Sequence, residues 1–138
     1  MLSQDIVYAD TQNLLTFLDN HDTPRFLKNK EEASDSARYQ QALVLLLTTR
    51  GIPQLYYGDE IGFSGDKSKG DGALRMDFPG GWKEDAVSAF SKTSRSVSQN
   101  RKFDFLQKLL NYRKGNDVIA KGSLKQFIPN DDIYVYER

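Results

Sequence analysis

Cysteine is absent from the 138 residues of this chain, and histidine occurs once. Without cysteine the chain can form neither a disulfide nor a thiolate metal site, which leaves its redox compartment open. Net charge is also lacking, because 19 Lys and Arg residues balance 19 Asp and Glu residues. A neutral chain offers nucleic acid no basic field, so we expect no nucleic-acid partner.

Long hydrophobic runs are missing as well. No apolar stretch approaches the roughly 20 residues that a membrane-spanning helix needs, so we expect no membrane partner. The opening MLSQDIVYAD lacks the basic start and apolar core of a signal peptide. Periplasmic, secreted and cytoplasmic locations all stay open. Aromatic residues make up 12% of the chain and argue for a folded unit rather than disorder.

The first half of the chain predicts a strand, a helix and a second strand. Residues 14–19 (LLTFLD) and 52–58 (IPQLYYG) are short apolar runs, typical of parallel strands that are buried on both faces. Between them, Ser34 or Asp35 can cap a helix that Gly51 ends. The apolar face of this helix is expected at Ala42, Leu43, Leu46 and Leu47.

The second half begins with a long glycine-rich loop at residues 62–82, and loops of this length are usually functional or mobile. A second helix is predicted at residues 98–114, with Ser98 as its cap and Gly115 as its stop. A weaker pattern suggests a short helix at residues 84–91.

The tail, SLKQFIPNDDIYVYER, has two alternating runs around the turn-forming Pro129-Asn130-Asp131 and predicts a hairpin. The order strand, helix, strand, helix implies parallel strands with crossover helices, and the hairpin begins a different, antiparallel layer.

Polar residues follow both predicted strands, where α/β proteins bind ligands. The first strand ends in Asp19-Asn20-His21-Asp22 and the second in Asp59-Glu60. Residue types alone therefore suggest that Asp22 pairs with Glu60 or Asp59 for acid/base chemistry or glycoside cleavage, with His21 as a hydrogen-bonding partner. Capping and salt bridging are the plainer explanation of the same residues.

Two other kinds of site are weaker hypotheses. A metal site would draw on Asp19, His21, Asp22 and Asp59, but one imidazole among loop carboxylates has no diagnostic spacing, so we expect no metal. A phosphate cradle would use Lys67 and Lys69 in the glycine-rich loop, yet their spacing matches no P-loop. A lid beside a sugar site is the preferred interpretation of that loop.

The exact strings carry more information than the residue types. FLDNHD at residues 17–22 resembles the late signature of the α-amylase family (glycoside hydrolase family 13), which closes the seventh strand of a (β/α)₈ barrel. GIPQLYYGDEIG at residues 51–62 resembles the eighth strand of that barrel. LRMDFPGGW at residues 74–82 is similar to a loop of neopullulanase and cyclomaltodextrinase members.

The resemblance implies roles for individual residues. Asp22 matches the family's third catalytic carboxylate, which binds sugar hydroxyls in the −1 subsite and stabilises the transition state. His21 matches a histidine that contacts the same sugar. Asn20 matches the motif's asparagine, which implies support of the strand end more than direct catalysis, and we assign it with His21 to substrate binding. Arg25 matches an arginine that holds the loop.

In the family the eighth-strand acids are mainly structural, so the resemblance disagrees with a pairing of Asp22 with Glu60 or Asp59. The family's nucleophile and proton donor follow the fourth and fifth strands, and this chain contains neither segment. The expected activity is retaining hydrolysis of α-1,4-linked glucans such as maltodextrin, starch, pullulan or cyclodextrin by a full-length parent. We expect the chain alone to be inactive.

Several side chains in the glycine-rich loop could meet substrate. Arg75 is assigned to substrate binding, with a structural pairing to Asp77 as its alternative. Phe78 and Trp82 could stack on sugar faces, whereas Tyr56 on a strand favours core packing.

A complete barrel needs about 250 residues, so the resemblance implies a fragment. Residues 1–115 are expected to be the C-terminal part of the barrel, with its seventh and eighth βα units. Residues 116–138 are expected to begin a C-terminal antiparallel β-sandwich. Exposed sheet edges predict self-association. No cofactor is expected, and a structural calcium in the parent has no support in these residues.

Two alternative functions remain. A non-catalytic relative, such as the ectodomain of a transporter heavy chain, would not need both His21 and Asp22. A transglycosidase or isomerase of the same family cannot be separated from a hydrolase by these residues.

Overall fold

The computed structural model describes residues 4–28 and 33–138. Strand β1 (Leu15–Phe17) pairs with strand β2 (Ile52–Gln54) in parallel, with Leu15 opposite Ile52. Helix α1 (Ala33–Thr48) provides the crossover between them. The predicted strand–helix–strand order is therefore confirmed, although both strands are shorter than predicted. Ser34 and Asp35 lie inside α1 rather than before it, and the side chain of Ser34 falls outside the described part of the chain.

The core forms where α1 packs against helix α2 (Val97–Lys114). Leu43 and Leu47 of α1 are buried together with Tyr39, and Leu106 of α2 joins them. The predicted apolar face of α1 is thus confirmed. Arg113, near the end of α2, donates to the carbonyl oxygens of Leu47 at 2.8 Å and Gly51 at 3.0 Å. These bonds connect α2 to the end of α1 and to the residue that precedes β2.

Prediction of the α2 cap was wrong by two residues. Ser96, not Ser98, accepts a hydrogen bond from the Gln99 amide at 3.1 Å, and the Gln99 side chain accepts from the Ser96 amide at 2.8 Å. This reciprocal capping box uses the spacing Ser-x-x-Gln, which is readable in the sequence. Ser98 instead accepts a hydrogen bond from Lys102 at 2.7 Å.

The weak helix prediction for residues 84–91 was also wrong, because this segment forms turns. The Asp85 carboxylate accepts hydrogen bonds from the Gly80 amide at 2.7 Å and the Trp82 amide at 3.2 Å. Such local side-chain bonds give the backbone an alternative to a helix.

The tail forms the predicted hairpin. Strands β3 (Lys125–Gln126) and β4 (Tyr136–Glu137) pair antiparallel, and Asn130 bridges to Ile133 across the turn. A short helix that the sequence pattern did not predict, α3 (Asp117–Lys121), precedes the hairpin and is capped by Asn116. The domain boundary at residue 115 and the β-sandwich stay predictions.

Burial of the strands on both faces was a wrong prediction for this chain. Thr16 is buried, whereas Leu15, Phe17 and Ile52 are exposed. Strand neighbours point to opposite faces. Leu18, two positions after Thr16 in the chain, packs against the core formed by α1 and α2.

Gly51 is a position where the fold depends on glycine. Its φ is +101°, and a Cβ atom there would lie 2.6 Å from the Leu14 carbonyl oxygen at the point where β1 and β2 begin to pair. We expect Gly51→Ala to lower the free energy of unfolding by about 1–3 kcal/mol, because it combines a strained backbone with a backbone clash.

Gly72→Ala is the matched control, since a Cβ at Gly72 meets no atom within 4 Å and its φ is not positive. Urea titrations of both variants should show a shifted midpoint for Gly51→Ala alone. Equal midpoints would contradict this role of Gly51.

Candidate active site

The loop after β1 is shaped by Asn20. Its side-chain oxygen accepts hydrogen bonds from the Asp22 amide at 2.8 Å and the Thr23 amide at 3.0 Å. The Thr23 hydroxyl accepts in return from the Asn20 amide at 3.0 Å. Asn20 therefore builds the turn that presents His21 and Asp22, and its side-chain oxygen is already used within the protein.

His21, Asp22 and Arg75 form one polar cluster at this edge. The His21 Nε2 atom lies 3.2 Å from one Asp22 oxygen, and Arg75 Nη2 lies 3.3 Å from the other. Arg75 Nε also donates to the His21 carbonyl oxygen at 3.2 Å. The cluster is open to solvent, with 65% of the Asp22 side chain exposed. An imidazole that can donate and accept, beside a carboxylate, suits a ligand rich in hydroxyl groups.

Arg75 is also bound by a carboxylate of its own glycine-rich loop. Its Nη2 atom lies 2.9 Å from Asp71, and Asp71 lies 2.6 Å from the Lys67 ammonium. The Lys67 hydrogen bond and the Arg75 charge lower the pKa of Asp71 below its ordinary value, which keeps the carboxylate ionised. The predicted Arg75–Asp77 pair is not formed between these two described residues, because Asp71 and Asp22 take the guanidinium.

Three positions after Asp22 the chain contains a buried arginine, Arg25. Arg25 donates from Nη1 to the Tyr57 carbonyl at 2.8 Å and from Nη2 to the Leu74 carbonyl at 3.0 Å. Its Nη1 atom also lies 3.3 Å from the Asp59 carboxylate. Arg25 therefore joins the loops after both strands, as predicted for a loop-holding residue.

Asp59 and Glu60 belong to this internal structure rather than to the surface cluster. The Asp59 side chain accepts from Arg25 and from the Tyr56 amide at 3.1 Å, and Glu60 accepts from the Gly58 amide at 2.8 Å. Neither makes a hydrogen bond with Asp22, so the pairing suggested by residue types is wrong and the structural role implied by the resemblance fits.

Two buried carboxyl groups meet below the loop. Burial, and then the negative charge of Asp19, raise the pKa of Asp59 to about 8, while Arg25 opposes the rise. Burial also raises the pKa of Asp19 above its ordinary value. The sequence placed Asp19 and Asp59 at the ends of the two paired strands, but it did not indicate that both side chains are buried while His21 and Asp22 are exposed.

The four residues considered for a metal do not converge: Asp19 and Asp59 are buried, and His21 and Asp22 lie on the surface. Among residues 4–28 and 33–138, no group of three or more His, Asp or Glu side chains is arranged to hold a metal ion. No helix in the same residues is long and apolar enough to cross a membrane.

Aromatic rings lie beside the site. Tyr56 lies under the Arg25 guanidinium, with 3.8 Å from its ring centre to the Arg25 Cζ atom. It is half-buried, follows strand β2 rather than lying in it, and is not part of the apolar core, so the prediction of core packing on a strand was wrong. Phe78 lies in a row of rings between Phe63 at 5.9 Å and Phe90 at 4.7 Å. Trp82 is 63% exposed. Stacking of Phe78 or Trp82 on sugar stays a prediction.

Two cavities flank the glycine-rich loop without reaching Asp22. One of about 590 Å³ contains Arg25, Lys28 and Lys69 in its wall, and one of about 480 Å³ lies against the start of α2 at Ser98 and Lys102. The surface of the His21–Asp22–Arg75 cluster is therefore open rather than enclosed in this chain.

Comparison with known proteins gives a consistent family. The model of the α-amylase catalytic domain matches residues 3–122. A cyclomaltodextrin glucanotransferase of Niallia circulans is 38% identical over 131 residues, which is 95% of this chain and 15% of that enzyme. An α-amylase of the same organism is 33% identical over 131 residues, 95% of this chain and 21% of that protein.

Solved structures show the same relationship. The crystal structure of the γ-cyclomaltodextrin glucanotransferase of alkalophilic Bacillus clarkii superposes with a TM-score of 0.67 at 29% identity, over 97% of this chain and 17% of that one. MutB, solved in complex with isomaltulose, superposes with a TM-score of 0.60 over 88% of this chain and 32% of its own. At 19% identity the MutB likeness concerns the fold alone.

Proposed function

We propose that this chain, which belongs to the α-amylase family of glycoside hydrolases, supplies part of the sugar-binding site of a larger enzyme that acts on α-linked glucans. The proposal is made for that larger enzyme, because the chain spans about 15% of the glucanotransferase it matches at 38% identity. The observation that supports it most is the cluster in which Asp22 contacts both His21 and Arg75.

In the proposed mechanism, Asp22 accepts hydrogen bonds from two hydroxyl groups of one glucose ring. Arg75 orients the carboxylate, and His21 binds a hydroxyl of the same ring through its imidazole. These contacts strengthen as the ring flattens and becomes positively charged, so they lower the barrier rather than merely bind the substrate. The nucleophile and the proton donor of the retaining reaction come from segments outside this chain.

A specific observation favours a transglycosidase as the second candidate. The matches at 33–38% identity include several cyclomaltodextrin glucanotransferases, whose name indicates transfer of a glucan. The narrower neopullulanase or cyclomaltodextrinase type rests on LRMDFPGGW alone and stays a prediction.

The experiment compares two purified proteins on maltodextrin: the 138-residue chain, and a longer protein that contains this chain preceded by the other six barrel units of its gene. The longer protein should release reducing sugar or form new linkages, and the chain alone should do neither, because the reaction needs carboxylates that the chain lacks. Turnover by the chain alone would contradict the claim that the nucleophile and the proton donor lie outside this chain. If the longer protein folds but is inactive, the result would contradict the proposal that it is an enzyme and would favour a non-catalytic relative.

We also propose that the isolated chain associates with itself. Leu15 and Phe17 project from the exposed face of β1, and Ile52 projects from β2. An exposed apolar face on a short sheet with free edges favours pairing with another chain. In a complete (β/α)₈ barrel the neighbouring strands would pair with these edges. Self-association is therefore expected only for the isolated chain.

A further inference from the structure

Residues 79–90 form a compact loop, the aromatic loop, whose two ends lie against each other. The Ala89 amide donates to the Pro79 carbonyl oxygen at 2.9 Å, which closes the loop. Inside it, the Asp85 carboxylate accepts from two backbone amides at 2.7 Å and 3.2 Å. Ala89 is buried, and its carbonyl oxygen accepts from Arg95 at 3.1 Å, which attaches the loop to the segment that leads into α2. These bonds fix the shape of the loop without the help of a ligand.

Three side chains of the aromatic loop expose apolar surface to solvent. Trp82 is 63% exposed, Val87 55% and Phe90 69%. Single exposed apolar residues are common on protein surfaces, but here three of them lie on one short loop whose backbone is fixed. Their exposed parts offer on the order of 400 Å², about half of the roughly 800 Å² that each partner buries in a stable protein complex. This surface is large enough for a small ligand and too small for a stable contact with a second protein.

A row of four aromatic rings connects the aromatic loop with the surroundings of the His21–Asp22–Arg75 cluster. Each ring centre lies 4.7 to 6.2 Å from the next. The row consists of Phe90, Phe78, Phe63 and Tyr57. At its inner end the Tyr57 hydroxyl donates at 2.8 Å to the carbonyl oxygen of Met76, the residue that follows Arg75. The aromatic loop is therefore packed, ring by ring, onto the segment that contains Arg75.

The chemistry of the aromatic loop matches a carbohydrate. A glucose ring has a face of C–H groups, which packs on an aromatic ring, and an edge of hydroxyl groups, which donate and accept hydrogen bonds. The loop offers the exposed rings of Trp82 and Phe90 for the first contact. It offers the exposed charged side chains of Lys83 and Glu84 for the second. A sugar therefore makes both kinds of contact at once.

We propose that the aromatic loop is a second glucan-binding surface, separate from the His21–Asp22–Arg75 cluster, on which Trp82 and Phe90 stack against the rings of an oligosaccharide. The loop binds glucan and takes no part in bond cleavage. That the sugar is an α-linked glucan rests on the proposed function, whereas the binding of an oligosaccharide by these two rings does not. A long glucan held on this surface stays near the cluster, which favours long substrates over short ones.

Fluorescence of Trp82 tests the proposal directly. Trp82 is the single tryptophan among the 138 residues, so the tryptophan emission of the chain reports on the aromatic loop alone. Addition of maltoheptaose to the 138-residue chain should change this emission in a saturable way, because stacking removes water from the indole ring. Sorbitol, a polyol without a sugar ring, should leave the emission unchanged at the same concentration of hydroxyl groups. An emission that maltoheptaose leaves unchanged would overturn the proposal.

Phe90→Ala tests the second ring. It should raise the Kd of the chain for maltoheptaose by about three- to tenfold, because it removes one of the two stacked rings. Phe127→Ala is the matched control, since Phe127 is a partly exposed phenylalanine in the C-terminal hairpin, and its Kd should equal that of the unchanged chain. Equal Kd values for the two variants would overturn the site of two rings.

Asp22→Asn separates this proposal from the proposed function. The variant should keep the Kd that Trp82 emission reports, because the aromatic loop does not use the Asp22 carboxylate. Loss of the response in Asp22→Asn would place the sugar on the cluster and overturn a separate surface. An emission that changes on dilution of the chain but not with maltoheptaose would overturn glucan as the occupant in favour of a second copy. None of these readouts involves turnover, so all stay decisive if the longer protein has no glycosidase activity.

Discussion

Replacement of Arg25 by methionine should lower the free energy of unfolding by about 3–5 kcal/mol, the cost of removing one partner from a buried ion pair. The guanidinium is 1% exposed and joins three parts of the chain. Methionine would leave the Asp59 carboxylate without its cation and the carbonyls of Tyr57 and Leu74 without their donors. It would also lose the contact with the Tyr56 ring.

The measurement is a urea or thermal unfolding curve, with Arg101→Met as the control. Arg101 is an exposed residue of α2, where a substitution of this kind usually changes stability by less than about 0.5 kcal/mol. Arg25→Lys should lie between the two, because lysine keeps the charge but cannot reach several acceptors at once. An Arg25→Met variant as stable as Arg101→Met would show that Arg25 does not hold the loops together.

Elements with strong local signals could be predicted from the sequence. Helix α1 follows from the spacing of Leu43 and Leu47, and the parallel order of β1 and β2 follows from the crossover. The FLDNHD string also identified the loop that contains His21 and Asp22, since these two residues are adjacent in the chain.

Other features depend on contacts between distant segments and had no local signal. The choice of Asp71 and Asp22 rather than Asp77 as partners of Arg75 depends on how the glycine-rich loop folds over the β1 loop. The proximity of Asp19 to Asp59 depends on how the loop after β1 packs against the loop after β2, and residue types alone do not predict that packing. The generic argument that paired Asp22 with Glu60 failed because it placed all polar residues at one edge and ignored which of them are buried.

Replacement of Asp22 by asparagine in the longer protein should lower kcat by about 10²–10⁴-fold. Two hydrogen bonds from sugar hydroxyls to a charged carboxylate are worth about 1.5–3 kcal/mol each, and about 1.4 kcal/mol corresponds to a tenfold change in rate. The amide loses the charge that stabilises a positive transition state, while the ground-state contacts persist in part. KM should therefore change much less than kcat.

Asp132→Asn is the control for Asp22→Asn. Asp132 is an exposed residue in the turn of the C-terminal hairpin, far in sequence from the His21–Asp22–Arg75 cluster, and its replacement removes the same charge. Its kcat and KM should match those of the unchanged protein. A matched loss in both variants would indicate an effect of net charge or folding rather than of the site.

The kcat of Asp22→Asn on a maltooligosaccharide, measured in the longer protein beside Asp132→Asn, tests the central claim most directly. The claim predicts a fall of at least about a hundredfold for Asp22→Asn with folding and KM largely retained. A folded Asp22→Asn enzyme that turns over within about twofold of the unchanged protein would contradict the assignment of Asp22 to the transition state.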